Sequence, residues 1–106
     1  MEECIFCKIV KGETDTNIVT QTDNLIVFPD IHPSAPTHFL IIPKKHIPDM
    51  TQAEDILWLE IRNLATQMAK ERNLIGFRLA TNTGTAAAVK HMHVHFLAGI
   101  DSKRAI

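Results

Sequence analysis

The run His91-Met92-His93-Val94-His95-Phe96-Leu97 sets three imidazoles at a period of two and alternates them with apolar side chains. On an extended strand successive side chains face opposite sides. The histidines then line one face about 7 Å apart, while Met92, Val94 and Phe96 point the other way. A helix would scatter them. One face of such a strand belongs to a core and the other to chemistry, because imidazole titrates near neutral pH and serves as nucleophile, general base or metal ligand.

Outward from this run the pattern predicts an α+β domain. Phe77 to Thr81 reads as a second strand, separated from His91–Leu97 by a loop over Asn82 to Lys90. Upstream, Thr51 and Glu54 have the spacing of a capping box. Ile56, Leu57, Ile61, Leu64 and Met68 then recur at helical spacing until Asn73 to Gly76 stops the helix. Trp58 lies just off that stripe, suited to partial burial or to a subunit interface. Phe39 to Ile42 forms a third strand closed by Pro43. Asn17 to Thr20 and Leu25 to Phe28 form a hairpin across Thr22 to Asn24, and Cys4 to Val10 a short helix ended by Gly12. Short connections between these elements imply an antiparallel sheet of about five strands with one long helix and a short N-terminal helix.

Composition narrows the function. A chain of 106 residues with 45% apolar content suits one domain, residues 1–106. Eleven Lys and Arg against twelve Asp and Glu leave no basic surface for nucleic acid. No apolar stretch is long enough for a membrane span and no secretory signal pattern opens the chain, which points to a cytoplasmic protein. Cys4 and Cys7 are the two cysteines, and at this spacing in a reducing compartment they suggest metal ligation or redox work more than a disulfide. A tetrahedral ion held by both needs two more nitrogen or sulfur ligands, for which His46 and one histidine of the triplet are candidates; the alternative is two small buried residues inside a short helix. Asp30 either offers two carboxylate oxygens to a vicinal diol or opens a turn with Pro33, and His38 is either part of a site or a satisfied buried histidine. The loop around Gly84 to Ala88 has side chains small enough for backbone amides to approach a phosphate, although with one glycine it also reads as an ordinary connection.

Taken together, Cys-Ile-Phe-Cys-Lys-Ile (4–9), Phe-Pro-Asp-Ile (28–31), Pro-Thr-His-Phe-Leu-Ile-Ile-Pro-Lys-Lys-His-Ile (36–47) and His-Met-His-Val-His-Phe-Leu-Ala-Gly (91–99) resemble the histidine triad (HIT) family, most closely its Hint-like nucleoside phosphoramidase branch. The resemblance implies a homodimer that binds a purine nucleotide, with His93 attacking the α-phosphorus to form a nucleotidyl-histidine that water hydrolyses. His95 is implied to donate to the phosphoryl oxygens and His38 to orient the nucleophile. Asp30 and Ile31 are implied at the nucleoside and Asn82 near phosphate and sugar. In zinc-containing relatives the first histidine joins two cysteines and the Lys-Lys-His histidine, which implies structural Zn2+ at Cys4, Cys7, His46 and His91, with no organic cofactor; in other Hint-like proteins that first histidine helps position the triad.

One stretch departs from the family. A Gly-Gln-Ser or Gly-Gln-Thr sequence is replaced by Ala86-Ala87-Ala88, and the loop is about two residues short. The hydroxyl that assists a leaving amine is missing, which implies a rate lower by about 10²-fold or more. Three rivals to a phosphoramidase therefore stand: a nucleotide-binding module with little turnover, a Fhit-like dinucleoside polyphosphate hydrolase, and a zinc hydrolase with a catalytic ion on His91, His93 and His95.

Overall fold

In the computed structural model, which describes residues 4–105, the chain runs through helix α1 (Ile5–Val10), strands β1 (Thr20–Gln21), β2 (Leu25–Pro29) and β3 (Thr37–Pro43), helix α2 (Asp55–Glu71), and strands β4 (Phe77–Thr81) and β5 (Val94–Ala98). All strand pairs are antiparallel, in the order β1-β2-β3-β5-β4. This is the α+β architecture the sequence predicts. No helix among the described residues is long and apolar enough to cross a membrane.

Alternation along β2, β3 and β5 sorts the side chains onto two faces. One face sends Leu25, Val27, Ile41, Val94, Phe96 and Ala98 against Ile61, Leu64, Ala65, Met68 and Ala69 of α2. The other sends Ile26, Phe28, Leu40 and Ile42 against Phe6 and Ile9 of α1. Six residues of helix cannot cover five strands, so the second face is only partly sheltered. His38 and His95 stand there, beside the cross-strand pairs Leu40↔His95 and Ala80↔His95.

The element ends differ from expectation where local chemistry competes. Helix α2 is not opened by a Thr51–Glu54 capping box: Glu54 is the N-cap without a side-chain hydrogen bond. Thr51 lies instead in a short 3₁₀ turn (Met50–Gln52), whose N-cap Asp49 accepts its backbone N–H. Ile56 is 66% exposed, so the buried stripe runs through Ile61, Leu64, Ala65, Met68 and Ala69, with Leu57 and Trp58 partly buried against it. At the far end Asn73 takes a left-handed φ of 56°. Its N–H reaches the Lys70 carbonyl and that of Leu74 the Ala69 carbonyl, the paired bonds of a Schellman stop. The first strand is shorter and later than Asn17 to Thr20, while β3 extends from Thr37 to Pro43.

The largest difference lies in the histidine run. Strand β5 begins at Val94, and His91 to His93 stand outside the ladder. There the Met92 N–H bonds to the Ile47 carbonyl at 2.6 Å, tying this stretch to the loop after β3.

Truncating Ile61, fully buried between α2 and the sheet, is expected to cost about 2–5 kcal/mol. Truncating Ile56 is expected to cost less than about 0.5 kcal/mol. Urea unfolding of I61A and I56A measures both, and equal losses would mean that the helix packs on a different face.

Candidate active site

The hydrogen bonds of the second face assign a tautomer to each imidazole. The Ser34 backbone N–H donates to His38 Nδ1 at 2.9 Å, so that nitrogen carries no proton and Nε2 does. His38 Nε2 lies 2.9 Å from His95 Nδ1 and 3.3 Å from Asp30 Oδ2. Donation to His95 Nδ1 leaves the remaining His95 proton on Nε2, available to an incoming acceptor. His93 Nδ1 lies 2.8 Å from the His91 carbonyl, an acceptor only, so this nitrogen holds the proton and Nε2 keeps its lone pair. A neutral imidazole with its ring orientation set by a backbone carbonyl is a preorganised nucleophile.

Burial favours the neutral form of His38 and of His95. Burial lowers the pKa of His38, the Asp30 carboxylate opposes this, and the Arg104 charge adds to the fall. Burial likewise lowers His95, reinforced by His93 and His38 and opposed by Asp30. Phe6 presents its ring to His93 at 5.1 Å between centroids, and His93 meets His95 at 5.3 Å. The Thr81 hydroxyl donates to the His93 carbonyl at 2.8 Å, joining the end of β4 to the segment that carries the nucleophile.

His91 turns to a different cluster. Its Nε2 lies 2.8 Å from the Pro43 carbonyl, which fixes the proton there and leaves Nδ1 bare, 3.3 Å from Cys4 Sγ and 3.5 Å from Cys7 Sγ. His46 Nδ1 lies 3.2 Å from Cys7 Sγ. The four donor atoms fall within 4.8 Å of one another. Tetrahedral bonds of about 2.3 Å to sulfur and 2.0–2.1 Å to nitrogen set a sulfur–nitrogen edge of about 3.6 Å. The donor set and its dimensions therefore fit Zn2+, and the Pro43 carbonyl is the outer partner that a ligating histidine needs. Burial and Cys4 raise the Cys7 thiol pKa, so an incoming cation displaces its proton. His91, His93 and His95 do not converge: among the described residues the groups able to hold a metal are this cluster and Asp30 with His38 and His95.

The predicted residues thus divide. His38, His93, His95 and Asp30 come together; Cys4, Cys7, His46 and His91 form the second cluster. Ile31 is 87% exposed next to Asp30, and Asn82 is exposed just beyond β4. The alanine loop is held firmly. Its single left-handed residue is Gly84 (φ 56°). Lys90 Nζ donates to the Gly84 carbonyl and, at 2.8 Å, to that of Ala87. Thr51, through its hydroxyl and N–H, and the Gly84 N–H hold the Asp49 carboxyl below its usual range. Ser34, Thr81, Arg78 and Arg104 bear on the site without any sequence signal beyond the position of Arg78 and Thr81 on a strand. A wider groove of about 610 Å3, lined by Lys44, His46, Glu54 and Glu60 among others, holds none of His38, His93 and His95.

Comparison with known proteins agrees with this geometry. A family model described as "Scavenger mRNA decapping enzyme C-term binding" matches residues 3–105. A HIT-like protein of Chlamydia pneumoniae is 38% identical over 101 residues, 90% of this chain and 92% of that protein. A HIT family hydrolase from Clostridium thermocellum superposes with a TM-score of 0.89 at 37% identity, covering 100% of this chain and 98% of that one. A Zn-bound histidine triad family protein from Mycobacterium smegmatis superposes at 0.83 with 27% identity, over 96% and 78% of the two chains.

The lowered values of His38 and His95 carry a sign for stability. The unfolded chain takes up protons first, near the ordinary histidine pKa, so stability holds above it and falls as pH drops toward the folded values. Thermal unfolding between about pH 8 and about pH 5, above the carboxylate range, is expected to show Tm falling on acidification. A flat profile would mean that these imidazoles are not held neutral by the fold.

Proposed function

The chain belongs to the histidine triad family and has a HIT-type hydrolase function; on that premise we propose that it hydrolyses purine nucleoside 5′-phosphoramidates or related nucleotidyl conjugates, as the Hint-like branch does. The observation that carries this reading is the His93 Nδ1 contact with the His91 carbonyl, which leaves Nε2 free to attack phosphorus. Attack forms a bond from Nε2 to the α-phosphorus and breaks the phosphorus–nitrogen bond. Water then cleaves the nucleotidyl-histidine, releases the nucleoside monophosphate and restores the imidazole. The His95 Nε2 proton meets charge developing on the phosphoryl oxygens, and His38, oriented by Ser34, holds His95 in the tautomer that can donate. In this reading the Asp30 carboxylate accepts the ribose hydroxyls, and Ile31 and Asn82 complete the nucleotide contacts. The departing nitrogen takes its proton from solvent or from His95, since Ala86 to Ala88 offer no hydroxyl.

Zn2+ on Cys4, Cys7, His46 and His91 is part of the proposal. A closed four-ligand ion supplies cross-linking and no chemistry, pinning α1 to the segment that bears the nucleophile. A homodimer is proposed as well, because β4 is a free sheet edge and Ile75 and Phe77 beside it are exposed. Sedimentation velocity is expected to give twice the mass of one chain, and a monomer at micromolar concentration would overturn it.

The first test is turnover of adenosine 5′-phosphoramidate with release of AMP. H93A is expected to lose activity by about 10³-fold or more, and a chelator to lower Tm while leaving the initial rate nearly unchanged at low temperature. Immediate loss of activity on chelation would favour the catalytic-zinc reading. Absence of turnover with AMP still bound would favour a binding module, the reading that Ala86 to Ala88 support.

A further inference from the structure

A second pocket feature lies beyond the triad, where the C-terminal tail folds back over β4. Strand β5 ends at Ala98 and is followed by Gly99, whose φ is 80° and where a Cβ atom would lie 2.8 Å from the Pro36 ring, so only a residue without a side chain turns the chain there. Asp101 then forms a turn. Its carboxylate accepts the Lys103 N–H at 3.0 Å and its carbonyl the Arg104 N–H at 3.2 Å. Arg78 of β4 clamps the result, with Nη1 and Nη2 donating to the carbonyls of Ala105 and Arg104 at 3.3 Å each. The tail is thereby fixed against the catalytic face.

Between tail and sheet lies a cavity of about 240 Å3 lined by Ser34, His38, Arg78, His95 and Arg104, among others. That is smaller than the roughly 300–1,000 Å3 of sites that enclose a whole ligand, and it opens onto His95, so it suits one end of a larger molecule. Arg78 and Arg104 are both among its lining residues, Arg78 with its guanidinium engaged by the tail carbonyls. Among the described residues no carboxylate forms an ion pair with Arg104, while its charge is felt by His38. Arginine in such a position matches phosphate or carboxylate oxygens.

The neighbouring loop points the same way. Ala86, Ala87 and Ala88 offer no acid to a leaving group, a handicap for an amine and none for a group that departs as an anion. We propose that Arg104, steadied by the Arg78 clamp, is a specificity-determining residue that binds an anionic leaving group, so that a nucleotidyl conjugate whose leaving group carries a second acidic group, such as an anhydride, seats that group in this cavity. The inference rests on His93 as the nucleophile. In the reaction the bond from His93 Nε2 to the α-phosphorus forms as the anhydride phosphorus–oxygen bond breaks. The leaving oxygen keeps the electron pair, and Arg104 neutralises it.

Two measurements on the full-length, metal-loaded protein separate this inference from the functional reading beneath it. The first compares kcat/KM for ADP, read as phosphate release, with that for adenosine 5′-phosphoramidate. R104Q is expected to lower the ADP value about 10-fold or more and to leave the amidate within about 3-fold, with R104K recovering part of the loss. The second measures binding of ADP and AMP to H93A by calorimetry, with and without R104Q, which decides the role of Arg104 even if the wild type turns over neither compound. R104Q is expected to weaken ADP by about 10-fold and AMP by less than about 2-fold. Equal weakening of both ligands would place the nucleoside or α-phosphate in the cavity, and no weakening of either would leave Arg104 outside the site; each result overturns the proposal. Matching Tm values for the variants exclude loss of the fold as the cause.

Discussion

The constraint on which this structure depends is that β5 is a central strand with both faces in use. Its apolar set, Val94, Phe96 and Ala98, is fully buried against α2, and no other register satisfies it. A slip of one residue would push His95 and Leu97 into that core and lift Phe96 onto the open face. The hydrophobic side of the sheet therefore sets the position of the imidazoles on the other side. Burial of Phe96 and Val94 is, in this sense, what aims His95 at His38.

From that register the polar contacts follow in sequence. Strand β3 sets His38 opposite Leu97, while His95 lies opposite Leu40, and the Ser34 amide selects which His38 nitrogen faces His95. Protons are then assigned along a short line from backbone amide to imidazole to imidazole. His93 is set independently by a carbonyl, and His91 by another. Three histidines spaced evenly in sequence thus receive three environments, because each finds a different partner. The metal-type cluster and the nucleophile are directly coupled: the His91 carbonyl meets His93 Nδ1, the Phe6 ring packs against both imidazoles, and Met92 between them is buried with the main core and bonded to Ile47.

Much of this was legible in the sequence, for identifiable reasons. The strands β2 and β3 and the long helix announce themselves by apolar periodicity; Cys4 and Cys7 mark a candidate metal site by their spacing, while the choice of His91 from the triplet comes only from the resemblance to zinc-containing relatives. Less legible were features governed by backbone groups. Thr51 and Glu54 have the spacing of a capping box, yet Asp49 captures Thr51 first. Alternation from His91 onward predicts a strand, but alternation cannot reveal that the Met92 amide bonds outside the sheet. Arg78 and Arg104 are distant in sequence and ordinary in composition; only the reversal at Gly99 brings the tail back to β4. Ile56 fits a helical stripe by number and lies at its edge by geometry.

The early end of the ladder at Val94 has a consequence for how such a protein is altered. In a central strand every carbonyl is consumed by one neighbour or the other. The His91 carbonyl is open to a side chain only because the chain leaves the sheet before that point. Stiffening the molecule by continuing β5 backward against β3 would recruit that oxygen into main-chain pairing. His93 would then lose the acceptor that holds its proton on Nδ1 and be free to rotate. Regularity here is a form of poisoning: a tidier sheet would be a more rigid protein with an unaimed nucleophile.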